Sequence, residues 1–245
     1  MKTISPFHGP LYLARGLRLL TRPELRPFVI LPLLTSSVIF AYGTWVILER
    51  LKAWTASVTA WLPSWLHFME WLVMPLFFTV AGAMLFWCFG MIANVLGAPF
   101  NALLAQKVEE LLLAQEPVPP PARQVAILKT IVPTLRSEIN KILYFLLRAI
   151  PLLLLFLVPV VNIAAPILWL LFTCWMTAFQ YLDFPMGNHD WDDKRILAAL
   201  REQRLLSLGF GASVLLMTSI PVVNFLAMPA AVAGATAIWA ERMRQ

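Results

Sequence analysis

Arg18, Arg22 and Arg26 recur every four residues across Thr21-Arg22-Pro23-Glu24, a tetrad with the residue types of a helix start. Thr21 stands where an N-cap would, Pro23 falls in the first turn where a missing donor is harmless, and Glu24 could close a capping box. Free amides at such a terminus, flanked by forked guanidinium donors, suit a tetrahedral oxyanion, because hydrogen bonds and partial positive charge offset part of the anion's desolvation. Glu24 works against that reading, since it uses the same terminus and repels an anion. The competing account is that these arginines contact lipid phosphates.

No other stretch offers a reaction. His8, His67 and His189 are scattered, no glycine-rich phosphate loop or nucleophile elbow is present, and Asn188-His189-Asp190 reads as an ordinary capped turn. Cys88 and Cys174 lie in apolar segments without paired or metal-ligand spacing and read as core packing. The expectation is therefore no enzyme, no metal and no cofactor. Inside the apolar segments Asn94, Asn101, Asn162 and Asn224, with Thr35, Ser36, Ser37, Gln106 and Gln180, could line a pore if some shared an inward face. Hydrogen bonding between helices is the plainer account of any one of them.

The elements that hold these residues belong in a membrane. The 245 residues are 60% hydrophobic and 13% charged, with a mean hydropathy of +0.76, which is more apolar surface than one soluble core covers. The net charge of +6 fits a cytoplasmic lipid interface, and the basic residues are interleaved with bilayer-length apolar runs, which argues against nucleic-acid binding. Residues 1–10 lack the apolar core and small-residue site of a removable signal peptide.

The expected fold is an all-α integral membrane protein forming one membrane domain over 1–245. It has two long spanning helices, about 27–51 and 71–113, and two partly penetrating helical hairpins, about 142–182 and 205–240, joined by polar segments 107–148 and 181–204. Residues 6–20 mix leucines with arginines as a short interfacial helix would, and Trp54, Val58, Trp61, Trp65 and Phe68 mark one helix face at headgroup level. Pro32 sits near the start of the first span, and Pro99 is the expected bend in the 36-residue uncharged run from Trp71 to Gln106. Pro117–Pro121 reads as a stiff break, followed by a polar amphipathic helix from about Ile127 to Leu146. Five basic residues precede the first span and two follow it, so both termini and the 107–148 segment are expected to be cytoplasmic.

The hairpins are read from a repeat. Pro-Val-Val-Asn occurs at Pro159–Asn162 and Pro221–Asn224, each in the middle of an uncharged stretch of 34 or 36 residues, which leaves arms of about 15–17 residues. Such an arm reaches about 24 Å, short of a hydrocarbon core of about 30 Å, so each hairpin enters and leaves by one face. In both copies the proline removes a donor, and Asn162 or Asn224 is expected to serve the freed groups of the bend. Backbone of that kind at depth needs protein or a water-filled cavity to cover it, which points to another part of the protein or a second protomer.

Several stretches then resemble one family. These are Arg26-Pro27-Phe28-Val29-Ile30-Leu31-Pro32, Ala98-Pro99-Phe100-Asn101-Ala102-Leu103-Leu104-Ala105, Tyr181-Leu182-Asp183-Phe184-Pro185 with Asn188-His189, Leu206-Ser207-Leu208-Gly209-Phe210-Gly211, and the run from Met228 to Thr236. Together, in order over most of the chain, they resemble the CysZ-type bacterial sulfate permeases. The resemblance implies an oligomeric protein of the bacterial inner membrane that brings in sulfate for assimilation into cysteine without ATP hydrolysis. It also implies a sulfate-binding segment similar to Pro-Gly-Leu-Arg-Arg, which falls here on Pro23, Glu24, Leu25, Arg26 and Pro27. Leu25 and Arg26 carry over. Glu24 stands for a glycine and Pro27 for the second arginine, which removes one charge and one amide donor and implies a weaker site or one recruiting Arg22 or Arg18. The reading is a homo-oligomeric sulfate permease among membrane lipids; the alternative is a membrane scaffold that binds transport or biosynthetic partners through its two polar segments.

Overall fold

The computed structural model describes residues 8–61, 70–113 and 127–244. All the elements among them are helical: α1 His8–Leu20, α2 Arg26–Trp61, α3 Glu70–Leu112, α4 Ile127–Leu155, α5 Ala165–Asn188, α6 Asp193–Glu202, α7 Arg204–Thr218 and α8 Pro221–Ile238. A 3₁₀ turn spans Val161–Ile163, and α8 runs on into a π-helical turn, Trp239–Met243. The Pro117–Pro121 break lies outside the described residues, and so do the side chains of the 54–68 stripe. Two helices are long and apolar enough to cross a membrane by length and composition, Arg26–Arg50 and Ala165–Asn188.

The chain forms two compact units, Ile30–Phe100 and the remainder. In the first, α2 keeps its helix through Pro32, seven residues in rather than in the opening turn, and Pro27 occupies the start instead. Pro32 has no N–H for the Phe28 carbonyl, and Thr35 answers locally by donating its hydroxyl to the Leu31 and Pro32 carbonyls at 2.9 and 3.0 Å. Leu34, Val38, Tyr42 and Trp45 lie exposed along α2. Helical structure in α3 continues through Pro99, and the boundary between the units falls just beyond it, after Phe100.

The second unit is built on α1, α5, α7 and α8. Here α1 packs on α8 and α7, and its inner face, Tyr12, Leu13 and Leu19, is core, while Leu11 and Leu17 stay exposed. Close approach is fixed by glycine. A Cβ on Gly16 would lie 2.1 Å from the Ala230 carbonyl oxygen, and one on Gly211 would lie 1.8 Å from that of Cys174.

The two Pro-Val-Val-Asn copies differ. The first is itself the connection between α4 and α5, and Val160 there takes φ 72°, a left-handed conformation costly for a β-branched residue. The second opens α8, with Pro221 in its first turn and extended Ile220 as the break. Asn162 and Asn224 are exposed, and among the described residues neither side chain makes a hydrogen bond, so the amides do not serve the bends as expected. Arm lengths differ too. At about 1.5 Å per residue α7 and α8 reach about 22 and 27 Å, whereas α5 reaches about 36 Å. The sequence reading stopped that arm at Asp183, but Lys141 neutralises the carboxylate at 2.8 Å and the helix continues to Asn188. On the other side, the helix expected over 127–146 is continuous with the first hairpin arm as α4.

Candidate anion-binding site

The arginines sit on the turn between α1 and α2. Thr21 does not cap α2: its hydroxyl donates to the Arg18 carbonyl at 2.8 Å, at the C-terminal end of α1, and α2 begins five residues later. The intended capping box therefore does not form, because residues 19–22 continue α1 as a tight turn, with Thr21 N–H to Arg18 O at 3.3 Å and Arg22 N–H to Leu19 O at 3.0 Å. Leu25 then pins the loop. Its side chain is fully buried and its amide donates to the Arg22 carbonyl at 3.1 Å, so Leu25 contributes an anchor rather than a free donor.

What the turn leaves open is an anion-seeking set of groups. Arg18, Arg22, Glu24 and Arg26 are all exposed. Arg26 donates through one terminal nitrogen to the Thr21 carbonyl at 3.0 Å, which bends the guanidinium back over the loop. Among the described residues no carboxylate lies within ion-pair distance of the three arginines, and the amides of Glu24 and Arg26 donate to no acceptor. Two unspent amides before α2 and three guanidinium groups can supply hydrogen bonds to an oxyanion. The Glu24 carboxylate, released from any capping role, can turn to solvent.

Among the described side chains, the pore candidates Asn101, Asn162 and Asn224 do not gather into one site. Asn101 is buried and donates to the Met228 sulfur at 3.2 Å, joining α3 to α8, while Asn162 is exposed in the connection between α4 and α5 and Asn224 is exposed in the first turn of α8. The side chain of Asn94 lies outside the described residues.

The sequence reading missed a second, buried polar group in the same unit. Glu109 of α3 is 1% exposed, and both its oxygens lie within hydrogen-bond distance of His189 Nε2, at 2.9 and 2.8 Å. Next to it Asn188 donates to the Ala102 carbonyl at 2.9 Å, and the His189 ring lies 5.3 Å from that of Trp239. Asn188-His189-Asp190 is a helix-end turn, with Asp190 at φ 57°, yet its histidine also lies within hydrogen-bond distance of a buried acid eighty positions away. Glu109 and Glu110 stand side by side before Leu111–Leu113, and nothing in that local pattern tells which of them is buried.

A third cluster ties the ends of the chain together. Tyr12 donates its hydroxyl hydrogen to Glu241 at 3.0 Å and accepts from Arg242 Nε at 3.2 Å, while Arg15 pairs with the other Glu241 oxygen. Burial pushes the Tyr12 phenol above its ordinary value, the bond from Arg242 pulls it down, and the Glu241 carboxylate pushes it up again. Arg242 is held more firmly protonated, chiefly by its bond to Tyr12.

The sequence matches, over residues 12–229, the profile of a family described as Sulfate transporter CysZ/Etoposide-induced protein 2.4. It is 45% identical over 232 residues to the sulfate transporter CysZ of Pseudomonas fluorescens (strain Pf0-1), covering 94% of this chain and 92% of that one. It is 42% identical to the CysZ of Pseudomonas aeruginosa PAO1, covering 94% of each. With the CysZ of Salmonella typhimurium LT2 it shares 38% identity across 99% of this chain and 95% of the other.

Proposed function

The chain belongs to the sulfate transporter CysZ/Etoposide-induced protein 2.4 family, and on that footing we propose that it is a membrane permease that carries sulfate into the cell. The observation that carries the reading is the Arg18–Arg26 turn, which presents three unpaired cations and two free amides among the described residues of a chain related over nearly its whole length to sulfate transporters. Sulfate is a dianion with a large hydration energy, and a site that replaces water by amide and guanidinium donors lowers the cost of its capture. Exposure keeps the capture weak enough for release, which conduction requires.

In this reading the protein lies in the bacterial inner membrane and supplies sulfate for assimilation into cysteine. Arg26, Arg22 and Arg18 collect the anion, Leu25 fixes the loop, and Glu24 limits affinity by repulsion. The short α7 and α8 dip into the bilayer, the longer α2 and α3 cross it, and copies of the chain assemble so that exposed apolar faces such as that of α2 meet lipid or a neighbour. Purified protein in liposomes should accumulate radiolabelled sulfate well above empty vesicles. Equal uptake in the two preparations, with a stable co-purified protein partner, would move the reading to a scaffold.

A further inference from the structure

Arg15, Arg18 and Arg22 stand at i, i+3 and i+7, and the tight turn after Leu20 keeps Arg22 close to helical register, so the three share one side of α1. Only the last two are open. Arg15 is paired with Glu241, whose other oxygen accepts from Tyr12. Glu241 is placed there by packing rather than by chance: it lies in the π-turn that ends α8, and α1 is pressed on α8 where Gly16 meets Ala230 and Gly234. The Arg15 and Glu241 side chains remain 41% and 37% exposed, so an anion in solution can reach the pair.

We propose that Glu241 is an internal carboxylate that withholds Arg15 from the anion-binding turn and so sets its affinity for sulfate. The proposal rests on the reading that the turn binds sulfate. Glu241 and the incoming dianion are competitors for one guanidinium: while the carboxylate holds Arg15, the turn offers three cations, and without it Arg15 becomes a fourth, one helical turn from Arg18. Because a dianion gains twice from each added cation, a fourth arginine would tighten capture and slow release.

The test is a double-mutant cycle read by calorimetry with sodium sulfate as titrant, on the full chain in detergent at low ionic strength. Glu241→Gln, which keeps an acceptor for Tyr12, should bind sulfate about threefold to fivefold more tightly, with the gain shrinking as salt rises. Arg15→Ala alone should bind as the parent does, and Arg15→Ala with Glu241→Gln should return to the parent affinity. No gain in Glu241→Gln, or a gain that survives in the double variant, overturns the proposal. If Glu241→Gln loses its helical circular dichroism, Glu241→Ala replaces it, since it removes the carboxylate that holds Arg15, and absence of any gain there is equally fatal. Arg26→Ala serves as the separate control. Unchanged affinity in that variant removes the turn as the sulfate site, whereas weakened binding there leaves the Glu241 result to bear on Glu241 alone.

Discussion

Two sets of charges in the second unit differ in how their charge is satisfied. On the Arg18–Arg26 turn the cations are exposed and have no carboxylate partner among the described residues. Along α3, α4 and α5 the ionisable groups are covered and partnered, Glu109 with His189 and Lys141 with Asp183. A charge removed from water requires a partner, so the buried pairs are committed to holding helices together. A charge left in water needs none and is available to a ligand. Binding and stability should therefore respond to different substitutions.

The largest effect that would break this division is at Glu109. Replacing it with alanine opens a void and strips His189 of its acceptor, and should lower unfolding stability by about 3 kcal/mol, read as a fall in melting temperature in detergent. Sulfate affinity of the folded protein should stay as it was; a parallel loss of both would mean the two regions are not separate. Next comes Lys141→Met. It leaves Asp183 covered and unpaired at a cost of about 2 kcal/mol, most of it recovered in Lys141→Met with Asp183→Leu, measured by the same melts. The converse case is Arg26→Ala, expected to weaken sulfate binding about tenfold, or about 1.4 kcal/mol, while moving the melting temperature little.

The smallest effect sharpens the comparison at Tyr12, which belongs to neither set cleanly. Its phenol is raised in the folded chain, so the stability it confers is complete below the unfolded value of about 10 and is lost as pH climbs through the higher folded one. Melts of the parent should therefore fall off above about pH 10 more steeply than those of Tyr12→Phe, which should itself cost under about 1 kcal/mol. Identical slopes would mean that burial does not raise the phenol in the folded chain.

Composition and apolar run length were enough to read an all-helical membrane protein, because those quantities depend on the solvent and not on any partner residue. Local rules did less well where two elements compete for one residue. Thr21 has the side chain of an N-cap, yet the preceding helix claimed its hydroxyl, and nothing in Thr21-Arg22-Pro23-Glu24 says which neighbour wins. Asp183 looked like the end of an apolar arm because its partner, Lys141, lies forty-two positions earlier. The identical tetrads misled for a related reason: the same four residues make a left-handed bend where Ala164 and Ala165 follow and a helix start where Phe225 follows, so context beyond the repeat decides. The Glu109–His189 pair was illegible because pairing over eighty residues is a property of the packed helices.

The seat of α1 on α8 has a bearing on how the protein is made. In chain order α1 is made long before the surface it rests on, with Tyr12 and Glu241 separated by 229 positions. Until α7 and α8 have been made, Tyr12, Leu13 and Leu19 lack the helices they pack on, and the lipid headgroup layer is the natural temporary cover for such a helix. Docking of α1 thus waits on the synthesis of α8, and a chain truncated before residue 230 would lose the Ala230 and Gly234 surface on which Gly16 sits.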